Sequence, residues 1–205
     1  MPHVLVPSDR VVRWVENFTA RHGETALTVE RGALSGAAVD GSTFGARLPF
    51  DREYAGPADP ADFAAAIAAP DDWGVLLVRK GGFAVARLHG TATLDSKVGQ
   101  RHVQGRTKAG GQSQQRFARR RDNQARQAYE AAADHAARIL AGLDGPLVTG
   151  GDQTAVDEVL TDPRLRHVRP TRRRLAVPDP RRGVLEQAVR DACAASVEVE
   201  NAQPQ

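Results

Sequence analysis

Residues 105 to 121 read Gly-Arg-Thr-Lys-Ala-Gly-Gly-Gln-Ser-Gln-Gln-Arg-Phe-Ala-Arg-Arg-Arg. Gly110 and Gly111 reach backbone angles closed to other residues and let a ligand approach the main chain with no Cβ in the way. Gln112 follows at the expected loop tip, and Ser113 fits as N-cap of a long helix running to about Leu143. A helix start surrounded by Arg106, Lys108, Arg116, Arg119, Arg120 and Arg126 draws a phosphate-bearing ligand. The plain alternative is a turn leading into a basic, solvated helix.

Charge is concentrated there. From Arg101 to Arg126 eight bases face one acid, Asp122, for a net charge of +7. The whole chain carries 28 Lys+Arg against 25 Asp+Glu, or +3, so the remainder is acidic by four charges. Such a distribution points to a polyanion met at one place. It is equally the pattern of an arginine-favouring composition, because only Lys80, Lys97 and Lys108 are lysines.

The elements that must position this segment follow from periodicity. With 205 residues, 41% of them hydrophobic and 26% charged, the chain can bury a core and does not read as disordered. Ser8 is the expected cap of a first helix to about Arg21, closed by Gly23. Ala26–Glu30 and Thr43–Leu48 read as strands separated by glycine-rich turns. Ala55–Pro60 reads as a linker, with Asp59-Pro60 opening an alanine-rich helix to Ala69. Val75–Arg79 and Phe83–Leu88 flank Lys80-Gly81-Gly82 as a hairpin, and Thr91–Asp95 adds a third strand. Ser96 to Gly111 reads as a long, mobile loop. Beyond the long helix come a strand at Leu147–Thr149, a helix at Thr154–Leu160, a strand at Arg174–Val177, and a last helix opened by Asp179-Pro180. The expectation is an α/β fold, a mixed β-sheet flanked by helices, after a small N-terminal α+β extension.

The run Gly110-Gly111-Gln112-Ser113, with Arg116-Phe117-Ala118-Arg119 behind it, resembles the GGQ loop and helix of the central domain of eukaryotic and archaeal class-I peptide-chain release factors. The resemblance covers roughly residues 70 to 195. The chain as a whole looks most like actinobacterial release-factor-like peptidyl-tRNA hydrolases, relatives of the tRNA-releasing factor of ribosome-associated quality control. The resemblance implies codon-independent hydrolysis of the ester between nascent peptide and transfer RNA. A codon-reading domain is not expected in so short a chain. Its implied partners are peptidyl-tRNA and the ribosome or its large subunit, met through ribosomal RNA. It implies Gln112 as the catalytic glutamine; the looser Gly-x-x-Gln pattern of the rescue relatives fits Gly111 to Gln114 and keeps Gln114 as the alternate. A non-catalytic RNA-binding module, or a nuclease acting at the transfer-RNA acceptor end, fits the same residues. The expected divisions are an extension over 1–56, a catalytic domain over 57–200 and a disordered tail over 201–205.

Other features point to structure. Thr149-Gly150-Gly151-Asp152 is a tight turn rather than a phosphate loop, since it lacks the Walker lysine. The six histidines show no metal spacing, Cys193 is the only cysteine, and no metal or organic cofactor is implied. No role beyond capping is needed for Ser113, which lacks a companion histidine for a nucleophile. Arg164, Arg166, Arg169, Arg172, Arg173 and Arg174 form a second basic run, either a solvated loop or a second RNA contact. Trp14 and Trp73 read as core anchors. No apolar run approaches the roughly 20 residues of a membrane span, and no export signal opens the chain. A cytoplasmic monomer is expected.

Overall fold

The structure is a computed structural model that describes residues 3–100 and 112–202, the side chains of 100 and 112–125 excepted. In chain order its elements are β1 (His3–Val6), α1 (Val11–His22), β2 (Thr25–Glu30), β3 (Ala33–Ala38), β4 (Thr43–Arg47), α2 (Pro60–Ala65), β5 (Trp73–Arg79), β6 (Gly82–His89) and β7 (Ala92–Gln100). Then follow α3 (Gln112–Ile139), β8 (Pro146–Gly151), α4 (Gln153–Leu160), β9 (Arg169–Leu175), α5 (Arg182–Ala192) and β10 (Ala195–Glu200). They form two compact units, Met1–Ala69 with Arg190–Gln205 and Pro70–Val189. The expected division lay at 56/57, with the catalytic domain ending at 200. The structure divides after Ala69 because α2 packs in the first unit, where Phe63 is buried against Tyr54.

The first unit is a sheet of order β1-β10-β4-β3-β2, antiparallel throughout. Val11, Val15 and Phe18 of α1 repeat at helical spacing and bury against Leu34, Phe44, Ala46 and Val197. Trp14 stacks on Phe18 at 5.8 Å and meets Phe44 edge-on at 5.1 Å, an anchor at the margin of this core. β3 replaces the expected turns. Its glycine serves packing: a Cβ on Gly36 would run into the Phe44 ring of the neighbouring strand. β1 and β10 are further strands that local sequence does not announce. Ala202 donates to Ser42 Oγ, so the tail stays attached at least to that residue.

The second unit is the expected mixed sheet, of order β7-β6-β5-β8-β9. β5, β6 and β7 run antiparallel, and β8 and β9 join parallel to β5. β5 is buried along nearly its whole length, which suits a central strand covered on both faces. The hairpin and α3 share one core: Leu76, Val78, Phe83 and Val85 pack with Ala132, Ala136 and Ile139. Trp73 is fully buried, and its indole N–H donates to the Gly90 carbonyl at 2.7 Å.

Several boundaries differ from expectation for local reasons. Ser8 makes no capping bond and sits instead in a 3-10 turn, Ser8–Arg10, ahead of α1. Asp59 does cap α2, accepting from the N–H groups of Ala61 and Asp62. That helix stops at Ala65, and Arg52 takes up the Ala66 and Ala68 carbonyls beyond it. β7 continues through the stretch expected as loop, pairing as far as Gly82 with Gln100. Gly99 is a packing glycine, because a Cβ there would strike the Phe83 ring. β9 begins at Arg169 and ends at Leu175, ahead of the span expected for it, and α5 begins at Arg182 rather than at Asp179-Pro180.

One ion pair ties the start of β5 to the end of α3. The Asp72 carboxylate accepts from Arg87 Nε at 2.8 Å, from Arg87 Nη2 at 3.0 Å and from the Asp144 N–H at 3.1 Å. Arg87 also donates to the carbonyls of Ala141 and Gly142, the turn that ends the helix. Gly145 must be glycine here, since a Cβ would overlap the Asp72 carbonyl oxygen. The Arg87 hydrogen bonds hold the Asp72 carboxyl below its ordinary range. Its stabilising contribution is therefore complete above the ordinary value and disappears as pH falls through the folded one. Asp72→Asn is expected to cost about 2 kcal/mol at pH 7 in urea unfolding, and to cost less as pH falls through that range.

Candidate functional site

α3 is a continuous helix of 28 residues, about 42 Å long. Gln112 and Ser113 belong to it, so neither the loop-tip position of Gln112 nor the Ser113 N-cap holds. Gln-Ser-Gln-Gln-Arg contains no helix breaker, and the helix takes in these residues. Gln114, Arg116, Arg119 and Arg120 lie in its first turns. Gly110, Gly111, Arg106 and Lys108, and with them most of the expected loop, fall outside the described residues.

The C-terminal part of α3 supplies the buried side, through Ala132, Ala133, Ala136 and Ile139, with Tyr129 half-buried beside them. The helical repeat places positions 116, 119, 120 and 126 within about 120° of one another, on the side away from Ala132, Ala136 and Ile139. Arg126, the first of these with a described side chain, is exposed. The sequence-nominated bases on α3 thus share one side of the helix backbone, whose margin at position 126 lies beside the buried Ala133.

Both chain anchors of residues 101–111 are held in the second unit. The Phe83 ring, lying against Gly99 of β7, stacks on His135 of α3 with centroids 5.5 Å apart. Arg138 Nη1 donates to Asp95 Oδ2 at 2.7 Å, a further tie between helix and β7. Sequence reasoning misses these positioning residues. Gly99 is legible only as a loop signal, and nothing local links Asp95 to a residue 43 positions away.

Thr149, Gly150 and Gly151 are the last paired residues of β8 rather than the expected tight turn, and Asp152 leads directly into α4. Gly151 has φ +94°, Gly150 leaves no room for a Cβ between Leu77 and Leu175, and the Asp152 carboxylate caps α4 through the Thr154 N–H. A carboxylate at that helix start already fills the place an anion would take. Histidines with described contacts serve packing: His22 lies on Phe18 beside Asp40, and His167 meets the Leu140 carbonyl. Among the described residues no group of His, Cys, Asp or Glu is arranged to hold a metal ion. No described helix is long and apolar enough to cross a membrane.

Residues 71–198 match the Actinobacteria/chloroflexi VLRF1 release factor family. The chain belongs to this family. The matched span holds all of β5 through α5, and with it the glycine–glutamine segment and α3. The family is described as one of release factors. Among solved structures, the crystal structure of the archaeal translation termination factor aRF1 is similar at 13% identity and a TM-score of 0.43. The similarity covers 76% of this chain and 48% of that one, so the chain spans about half the length of that factor. No curated protein matches the sequence.

The shared arginine face yields a measurable expectation. Each phosphate that is no longer neutralised should reduce the slope of log affinity against log salt by about 0.7–0.9. Arg119→Glu combined with Arg126→Glu is expected to lower the slope for ribosome binding by about 1.5, read from sedimentation at several KCl concentrations. An unchanged slope would mean that the face is merely solvated.

Proposed function

We propose that the protein is a codon-independent peptidyl-tRNA hydrolase that frees nascent chains on stalled ribosomes or large subunits. The observation that carries this reading is the release-factor family match over 71–198, which encloses Gly110-Gly111-Gln112 at the head of α3. The protein acts in the cytoplasm as a monomer and uses no cofactor.

An amide has no useful basicity near neutral pH, so Gln112 does not take a proton from water. Water adds to the ester carbonyl carbon, and negative charge collects on the carbonyl oxygen. The first N–H groups of a helix have no intrahelical acceptor, and the Gln112 N–H is one of them at the head of α3. It donates to the developing charge, while the side-chain amide orients the attacking water. The bond from carbonyl carbon to ribose oxygen then breaks, and that oxygen takes up a proton. The products are a free peptide acid and transfer RNA with an intact terminal hydroxyl. Gly110 and Gly111 let the backbone come close to the ester. The bases Arg106, Lys108, Arg116, Arg119, Arg120 and Arg126 hold the RNA phosphates.

The test uses stalled ribosome complexes with labelled peptidyl-tRNA. Free peptide with intact transfer RNA supports the hydrolase, shortened transfer RNA indicates a nuclease, and bound protein without product indicates a binding module. Gln112→Ala keeps the backbone N–H but removes the amide that orients the attacking water, and is expected to slow release by about a hundredfold. Folding should persist, because alanine is the best helix former. Loss of release in Gln114→Ala but not in Gln112→Ala would transfer the role to Gln114.

A further inference from the structure

The second arginine run lies at the far edge of the second sheet. From 163 to 182 the chain holds eight arginines against a single acid, Asp179, a net charge of +7 that equals the window around α3. Arg169 to Arg174 form most of β9, the outermost strand of the order β7-β6-β5-β8-β9. Residues 101–111 leave from β7, at the opposite edge of the same sheet. The two outer strands are separated by four strand spacings, about 19 Å.

The acids along this edge are already engaged. Arg164 donates to Asp162 Oδ2 at 2.7 Å and to Asp134 Oδ1 at 2.6 Å, and Asp179 lies 3.6 Å from Arg79. Arg164 holds the Asp162 carboxyl down at about 2, so that pair stays charged. Arg166 and Arg169 are exposed, and their guanidinium groups have no partner among the described residues. Between Leu147–Pro170 and Thr149–Arg174 the pairing shifts, so β9 bulges over Thr171 to Arg173. The Thr171 hydroxyl closes the bulge on the Arg173 carbonyl at 3.0 Å, and Arg172 stands exposed on it. Two uncompensated guanidinium groups, with the exposed Arg172 on the bulge, fit a ligand rich in anionic oxygens.

We infer that the β9 edge, through Arg166, Arg169 and Arg172, is a second RNA-binding surface that grips a phosphate backbone. Arginine forks bind phosphate oxygens in pairs, and the seven residues of β9 span about 23 Å, enough for several consecutive phosphates. That the RNA is ribosomal or transfer RNA rests on the release-factor reading above; the surface does not. With the α3 face it gives the protein two separate holds on one large polyanion. The competing explanation is that the charges only protect an open sheet edge from pairing with other chains.

The test compares the full-length chain with two double variants of equal charge change. Arg166→Glu/Arg169→Glu alters the proposed surface, and Arg10→Glu/Arg13→Glu alters exposed arginines of the first unit. Binding is measured to purified large ribosomal subunits and to protein-free ribosomal RNA over a series of KCl concentrations. The β9 pair is expected to weaken binding to both by about tenfold and to lower the salt slope by about 1.5, with the control pair within about threefold of the parent. Equal effects of the two pairs would overturn the surface. Loss of binding to subunits with unchanged binding to protein-free RNA would overturn it in favour of a protein partner. Peptide release is assayed separately on Gln112→Ala, so failure of the hydrolase reading leaves this outcome distinct.

Discussion

The contact between Asp72 and Arg87 governs the geometry of the second unit. It occupies both oxygens of one carboxylate and most donors of one guanidinium, and draws in the turn that follows α3. Withdrawing a charged pair partly from water repays its desolvation best when its donors and acceptors are otherwise engaged. Here Arg87 makes four such contacts, and the Asp144 N–H adds one to Asp72. The turn that follows the long helix is thereby fastened beside the start of β5 and the end of β6. β8 begins only a few residues later, in register beside β5. The direction in which α3 crosses the sheet is set at this end, well away from the glutamine at its other end.

The arrangement separates stability from chemistry along a single helix. The C-terminal half of α3 is committed to the core through small residues, Ala132, Ala133 and Ala136, which let it lie close to β6. Its N-terminal turns carry arginine and glutamine in the sequence, and Arg126, the first of these bases with a described side chain, is exposed. Polar residues at the head of a helix can change without dismantling the sheet beneath.

Legibility in the sequence followed the range of the forces involved. The β5–β6 hairpin, the α1 stripe and the Asp59 cap were readable because their causes lie within a few residues. β10 was not, since Val197 is buried by partners more than a hundred residues away. Glycine misled twice, at Gly36 and Gly99, where the missing Cβ makes room for a ring on the next strand instead of a turn. At the candidate site, the glycine–glutamine motif and the bases were legible as a motif and a charge pattern, on which the proposed chemistry rests. The ties through Phe83, His135, Asp95 and Arg138 were not, because they depend on tertiary contact alone. Gln112 was expected one step too early, outside the helix rather than in it.

The first unit has a sheet whose second strand arrives last. β1 pairs only with β10, through His3 to Glu198 and Val6 to Ala195. Closing that contact joins points nearly the whole chain apart, with a loop entropy to match. During synthesis, β1 and the outer side of β4 have no partner while every other strand is being made. Contacts so distant in sequence form slowly, and the second unit is made entirely within the interval. The first unit's sheet is thus completed only after β10 has emerged.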